Sequence, residues 1–470
     1  MLYEARRILK LNGGIISRIQ ESVMRILLVY PPTRFSSYNS IGLRKPPLGL
    51  AYLAAVLKNE HEVKIIDFDV EKIDWRSYPY QTFDVVGISA ETAKYPISLK
   101  IAALAKARGA TVVMGGPHVS FLDGDALRSG VVDFVIRNEG EVSFASLVRC
   151  LCGEISTETV GGLSYLENGE LRRTPDSPLV EDLDSLPFPA RELLPLHLYG
   201  SRIEGRPMTT MMTSRGCPFT CSFCSSSRLF GQRWRARSVE SILEEIELLH
   251  RKYRFSAVSI MDDTFTLSVD RAIKLSEKLQ NKGWDLVWSV LTHVGAVVRN
   301  PRMFREMARA GLRSVFIGFE SGNQEVLDEY RKRATVKESH EAMRILKNNT
   351  LHVTGSFIIG ALHETREMIK ETIAFAKTLN PDSAQFTILT PYPGTKLYEH
   401  VASRIFCTDW EAYTCLHPVL HLDHLSAREL RRLLAEAYFS FYGRPKKIIG
   451  NLGYLAAVLS NCFKFLLGLA

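Results

Sequence analysis

No arginine-rich arm with interleaved aromatics occurs in the 470 residues, so nucleic acid is not an expected partner despite a formal net charge of +8. A solvated basic surface is the plain reading of that charge; an anionic cofactor or an acidic membrane face stays open. Low-complexity tracts are absent as well, as in a folded globular chain. The N-terminus lacks an apolar core followed by a small-residue cleavage site, which makes the reducing cytoplasm the expected compartment. Nowhere do ~20 apolar residues run uninterrupted. The most apolar stretch, 448–470, is broken by Asn451, Asn461 and Lys464. An interfacial or core-packed amphipathic helix is expected there, with peripheral membrane contact left open. Residues 1–23 carry Arg6, Arg7, Lys10 and Arg18 among aliphatics, as either a basic amphipathic helix or an extension ahead of a start at Met24.

Cysteine is scarce too: eight residues, of which three crowd one loop, Cys217, Cys221 and Cys224. Cys150 and Cys152 sit near a helix end and do not share a face. Cys407, Cys415 and Cys462 show no cluster spacing, and His363, His417, His421 and His424 read as loop or surface residues. A tight cysteine group in a reducing compartment points to metal rather than to a disulfide.

What is present is a strand–helix alternation in two blocks. "MRILLVY" is a continuous apolar run, as in a parallel strand covered on both faces. A helix, "LGLAYLAAVLKN", follows, then "HEVKIIDFD", "FDVVGIS", the helix "SLKIAALAKARG", "TVVMGG" and "VDFVIRNEGE". This pace predicts a doubly wound parallel α/β domain over 24–156, with ligands at the carboxyl ends of its strands. A hairpin and a proline-punctuated linker occupy 157–202. From 203 to 425 the strands "MTTMM", "AVSIMDD", "VWSVLTH", "SVFIGFES", "TGSFIIG" and "AQFTILT" alternate with helices, predicting a full or partial (β/α) barrel whose site lies in the loops after the strands. Residues 426–470 read as a helical tail.

Cys217-Pro-Phe-Thr-Cys221-Ser-Phe-Cys224 follows the first strand of the barrel directly. Three thiolates can hold three irons of a cubane and leave the fourth open to a ligand. Structural zinc takes four ligands, and no fourth cysteine or histidine is adjacent, so zinc fits poorly.

This loop resembles the signature of the radical S-adenosylmethionine superfamily. The resemblance implies a 4Fe–4S cluster on Cys217, Cys221 and Cys224, with Phe223 beside adenine. It also implies that Asp262 and Asp263 meet the methionine amino group, and that Glu320 and Ser321 of "GFESG" make a further cosubstrate contact. "RWRARS" from Arg233 and "LTPYPGTKLY" match the same branch. One departure stands at Ala361-Leu362-His363-Glu364-Thr365, where relatives have a proline–glycine turn.

The first block resembles the cobalamin-binding domain that precedes the radical core in one large branch of that superfamily. Its resemblance rests on Ser89, on Gly115 and Gly116 of "GGPH", and on Glu139 and Gly140 of "NEGE", which it implies line the cobalamin site. The aspartate–histidine–glycine motif of cobalamin mutases is missing. "LRKPPLG", residues 43–49, stands in its approximate place without an imidazole, which implies cobalt lacking a lower histidine. His118 reads as a loop residue and not as that ligand.

Together the halves resemble cobalamin-dependent radical S-adenosylmethionine enzymes over about 24–426. The resemblance implies cleavage of S-adenosylmethionine to a 5′-deoxyadenosyl radical, with methylation of an unactivated carbon as the expected outcome. A hydrophobic or lipid-like substrate is expected, with an electron donor of flavodoxin or ferredoxin type. Radical cyclisation or carbon–carbon bond formation on a lipid or tetrapyrrole is the alternative. A cobalamin sensor or scaffold with a vestigial cluster is the reading from another class. No catalytic side chain is assigned beyond the cluster.

Overall fold

The computed structural model describes residues 23–33, 44–445 and 447. The expectations for 1–22, for Leu43 and for the apolar stretch from 448 onward, Cys462 included, lie outside them.

The first sheet orders its strands 2-1-3-4-5-6-7. β1 (Arg25–Tyr30) lies between β2 (Glu62–Asp67) and β3 (Val85–Ser89), followed by β4 (Thr111–Gly115) and β5 (Phe134–Ile136), all parallel. Ile26 to Val29 are fully buried because helices cover both faces, which is why β1 reads as an unbroken apolar run. The order reverses direction beside β1, the place where such sheets open a crevice at their carboxyl ends. The hairpin β6 (Leu163–Glu167) and β7 (Glu170–Arg173) joins this sheet antiparallel to β5, so the sheet runs on beyond Ser156. Asn168 and Gly169 turn it, both with positive φ, as a two-residue turn of this hand requires.

The second sheet runs β9 (Arg206–Met211), β12 (Ala257–Ile260), β13 (Val287–Thr292), β14 (Leu312–Glu320), β15 (His352–Ile359) and β16 (Ser383–Ile388), all parallel, with β8 (Arg202–Ile203) antiparallel on its edge. Two short strands, β10 (Ser214–Arg215) and β11 (Arg235–Ala236), pair beside it. This is the partial barrel of six βα units expected from the repeats.

Its open edge is managed by the helix Ala427–Tyr442, which starts in a capping box of Ser426 and Glu429. The Tyr442 hydroxyl accepts from the Ala384 N–H at 2.8 Å and donates to the Ala384 carbonyl at 2.8 Å. Tyr438 does the same at Phe386, at 3.2 and 2.9 Å. The two hydroxyls thus replace a missing neighbour strand on β16. Tyr442→Phe orphans both buried backbone groups of Ala384 and is expected to lower stability by about 1–3 kcal/mol, read as a lower denaturation midpoint at unchanged slope.

The 174–203 segment threads between the sheets. Ala190 N–H donates to the Ala51 carbonyl at 3.0 Å, and buried Arg191 reaches Glu245 at 2.8 Å and the Thr210 carbonyl at 2.7 Å. Tyr199 donates to Asp67 at 2.9 Å. A shared cleft is lined by the carboxyl ends of both sheets, Tyr30, Asp67 and Ser89 from the first and Met261 from the second.

Candidate functional site

The cysteine loop is fixed at the carboxyl end of the barrel by backbone bonds. Ser222 N–H donates to the Tyr330 carbonyl at 3.0 Å, Leu397 N–H to the Ser222 carbonyl at 2.9 Å, and Cys217 N–H to the Gly231 carbonyl at 3.3 Å. Entry to the loop needs glycine. Gly216 has φ +84°, and a Cβ there would sit 2.3 Å from the Arg233 carbonyl. Gly216→Ala is therefore expected to displace the loop and cut the iron retained per chain several-fold, measured by metal analysis after anaerobic reconstitution.

Cys217, Cys221 and Cys224 lie within one another's electrostatic range, and burial pushes all three thiols up, Cys221 to about 11. A thiol so raised becomes a thiolate when a cation binds it. Among the described residues no three His, Cys, Asp or Glu side chains surround a point as closely as a single metal ion requires. A cubane spreads its thiolates more widely, each on a different iron, so the donor set fits the cluster better than one ion.

Around the thiols stand residues of both signs. Asp263 accepts from the Ser226 hydroxyl at 2.9 Å, and its carboxyl is raised, chiefly by desolvation, although the residue keeps contact with solvent. Glu320, with φ +65°, accepts from Lys332 at 2.6 Å, both residues buried. A Cβ at Gly318 would fall 2.1 Å from the Glu320 carboxylate, so this close pair requires that glycine. Burial opposes the charge on Lys332, but Glu320 and Cys221 outweigh it and hold its pKa above the usual lysine value. Phe223 packs edge-on against Tyr330, ring centres 5.3 Å apart. His293 stacks under Phe219 at 4.4 Å and bonds the Lys332 carbonyl at 2.9 Å.

Two expected contacts are spent elsewhere. Buried Asp262 takes the Thr213 N–H at 2.6 Å, the Thr213 hydroxyl at 2.5 Å, the Ser214 hydroxyl at 2.6 Å and Arg271 at 3.4 Å. It anchors the strand that feeds the cysteine loop. The Ser321 hydroxyl faces Thr372 at 3.0 Å and accepts from the Asn323 N–H at 3.1 Å, which turns it onto the helix Arg366–Leu379.

In the first sheet Ser89, Gly115, Gly116, Glu139 and Gly140 line one cavity of about 220 Å³. Gly116 has φ +107°, and a Cβ there would stand 3.0 Å from the Ala90 backbone. A chain stripped of side chains here gives a flat, mostly apolar slot that suits a nucleotide tail. Met212, Arg215 and Phe230, from the flanks of the cysteine loop, close it. Glu139 does not face the slot freely: it holds Arg235 at 2.7 Å and Arg215 at 3.4 Å and accepts from the Val180 N–H at 2.9 Å. Arg215 also pairs with Glu141 at 2.6 Å. The sequence reading missed Arg215, Arg235, Glu141 and Lys332. Glu141 and Arg235 stood in the quoted motifs "NEGE" and "RWRARS", but their partners lie 74 and 96 positions away.

A second cavity, of about 730 Å³, lies between the sheets and is lined by Ser89, Pro117 and Lys94 on one side and Ser225, Ser226 and Met261 on the other. Ser89 and Pro117 line both cavities, so the slot and the cleft adjoin there, and Ser225 and Ser226 on the cleft's far side follow Cys224 in the chain.

His118 is fully buried, 4.1 Å from the Tyr95 ring and 4.8 Å from Trp410, with Nδ1 3.3 Å from the Thr92 hydroxyl. Burial lowers its pKa to about 3. The unfolded chain takes up a proton below about pH 6.5 that the folded chain refuses, so its contribution to stability is lost as pH falls from there. His118→Gln is expected to remove up to about 1.4 kcal/mol per pH unit of acid lability between about pH 6 and 4, seen in urea midpoints across that range.

Comparison with known proteins agrees with this geometry. Residues 211–376 match the radical SAM superfamily model and 38–148 the B12 binding domain model. The chain is 42% identical over 443 residues, 92% of it and 95% of the relative, to a protein of Pyrococcus horikoshii named as an uncharacterized methyltransferase. It is 28% identical over 432 residues, 89% of this chain and 77% of the other, to the anaerobic magnesium-protoporphyrin IX monomethyl ester cyclase of Rubrivivax gelatinosus. In fold it is similar to the cobalamin-dependent S-adenosylmethionine radical enzyme OxsB, solved with aqua-cobalamin and S-adenosylmethionine, at TM-score 0.73 and 17% identity over 95% of this chain and 76% of that one. The radical S-adenosylmethionine methyltransferase TsrM from Kitasatospora setae superposes at TM-score 0.71 and 16% identity, over 95% and 99%. Two domain models in tandem and a relative matched over nearly its whole length leave one assignment: the chain belongs to the cobalamin-dependent radical S-adenosylmethionine enzymes, whose cofactors are S-adenosylmethionine, a 4Fe–4S cluster and cobalamin.

Proposed function

We propose that this protein methylates an unactivated carbon of a hydrophobic or lipid-like substrate, with electrons from an external donor of flavodoxin or ferredoxin type. The observation that carries the reading is the adjacency of the two cavities: the glycine-lined slot of the first sheet shares Ser89 and Pro117 with a cleft whose far wall, Ser225 and Ser226, follows Cys224 in the chain. The chemistry supplied by the cofactors when bound is reductive cleavage of the sulfonium and delivery of a methyl group to carbon.

The chain's own residues bind and orient. Cys217, Cys221 and Cys224 hold the cluster, and Asp263, open to solvent beside them, accepts from the methionine ammonium. Phe223, braced by Tyr330, offers a face to adenine. Glu320, held by Lys332, orients the cosubstrate from the opposite side. Ser89, Gly115, Gly116 and Gly140 form the wall for the nucleotide tail, while Glu139 positions that wall through Arg235. The walls of both domains exclude water from the cleft.

The test is anaerobic reconstitution with cobalamin, S-adenosylmethionine and a reductant. 5′-Deoxyadenosine is expected from the parent and none above background from Cys217→Ala. Equal yields from the two would refute the reading. A ring-closed product in place of a methylated one would select oxidative cyclisation, the reading favoured by the similarity to the Rubrivivax gelatinosus cyclase.

A further inference from the structure

A closed eight-stranded (β/α) barrel is filled by layers of branched apolar side chains. Here the inward positions of five successive strands are small and polar: Ser259, Ser289, Ser314, Thr354 and Ser383. Their strand neighbours Val258, Trp288, Val315, Val353 and Ala384 point the other way, into the core beneath the helices. Ser289 donates to Ser259 at 2.9 Å, so the hydroxyls form a layer of their own. The result is a hollow of about 440 Å³ inside the barrel.

The rest of its lining has a definite character. Met208, Leu291 and Phe316 give it an apolar wall. Lys45, Arg202 and Arg313 reach it as cations, against one carboxylate among the described residues, Glu204, which stands 3.8 Å from Arg313. Such an excess of one sign around a low-dielectric wall attracts the opposite charge. Lys45 Nζ lies 3.4 Å from Met261 Sδ, and these two residues line both the hollow and the cleft between the sheets. The hollow thus adjoins the cleft across this pair of side chains.

We infer that the barrel hollow holds the non-reacting part of the substrate, and that this part is an amphipathic organic anion. Its apolar body lies along Leu291 and Phe316, its polar atoms meet the serine layer, and its carboxylate or phosphate falls within the field of Lys45, Arg202 and Arg313. The inference rests on the proposed function and sharpens its substrate class: lipid-like, but carrying negative charge.

Two probes with one apolar body test it by equilibrium dialysis against the cobalamin-loaded, cluster-reconstituted full chain. 8-Anilinonaphthalene-1-sulfonate carries a charge that N-phenyl-1-naphthylamine lacks. The sulfonate is expected to bind about tenfold more tightly, as one charge-assisted contact allows. Lys45→Gln and Arg313→Gln should each reduce that preference, and the double variant should bring the probes to parity. Ser289→Leu, which fills the hollow, should weaken both, with unchanged cobalamin content showing that the chain is folded. Equal affinities in the parent, or probes indifferent to both Ser289→Leu and the cation variants, would overturn the inference. A protein that binds the sulfonate as stated yet forms no 5′-deoxyadenosine would refute the proposed function and leave the anion site standing.

Discussion

Arg215→Ala is expected to destabilise the protein by about 3–5 kcal/mol, because it strands buried carboxylates that have no water to turn to. Arg215 and its partners Glu139 and Glu141 are all buried, and Glu141 is held at 2.6 Å. Glu139 would keep Arg235, whereas for Glu141 no other ion pair is present among the described residues. Such a loss is a large share of the margin that keeps a typical domain folded. Position adds to the effect. Arg215 closes the slot of the first sheet and lies two residues ahead of Cys217, so its removal should weaken cobalamin uptake and iron retention together. Arg215→Lys should recover part of the stability only, since an ammonium cannot fork to two carboxylates as a guanidinium does. Denaturant midpoints and cobalamin content of the purified variants check both statements. An alanine variant as stable as its parent would remove the interdomain ties from the account.

Asp262→Ala is expected to cost a similar amount for a different reason. One carboxylate satisfies a backbone N–H, two hydroxyls and a guanidinium. Removing it orphans four donors at once, and each buried orphan costs about 1–3 kcal/mol before relaxation. Asp262→Asn keeps the shape but gives up the charge beside Arg271 and presents a donor where donors already point, so about half the loss is expected to persist. Thr213 and Ser214 lead directly to the cysteine loop. Iron retained after reconstitution should therefore fall in step with the melting temperature. Asp263→Asn, on the open side of the same dipeptide, should leave the melting temperature within about 1 °C of the parent while weakening S-adenosylmethionine binding. A reversal of that pattern would exchange the roles assigned to the two aspartates.

How far these features could be read in the sequence depended on how local they are. The cysteine loop was legible because its three ligands and its glycine occupy nine consecutive residues, from Gly216 to Cys224. The strands were legible because parallel strands covered on both faces read as apolar runs. The hairpin was recognisable as a hairpin, but its attachment to β5 was not, since register with a distant strand leaves no mark in either segment. Asp262 and Asp263 looked equivalent as neighbours. Only the path of the chain sends one inward to Thr213 and the other into the cleft. The serine layer did leave a signal. "AVSI", "VWSV" and "HVTG" each set a hydroxyl residue directly after a core-facing apolar one, so the hydroxyl falls on the opposite, inward face of its strand. The partners of Arg215 and Arg235 left none, because ion pairs between domains are fixed by the packing of whole sheets.

Cys217, Cys221 and Cys224 are expected to hold a cubane whose fourth iron would be free to take S-adenosylmethionine. Anaerobic electron paramagnetic resonance of the reduced, reconstituted protein checks that claim. One reduced 4Fe–4S signal per chain is predicted, its g-values shifting when S-adenosylmethionine is added, and no such signal from Cys221→Ala. A signal indifferent to S-adenosylmethionine, or one that survives loss of Cys221, would contradict the claim.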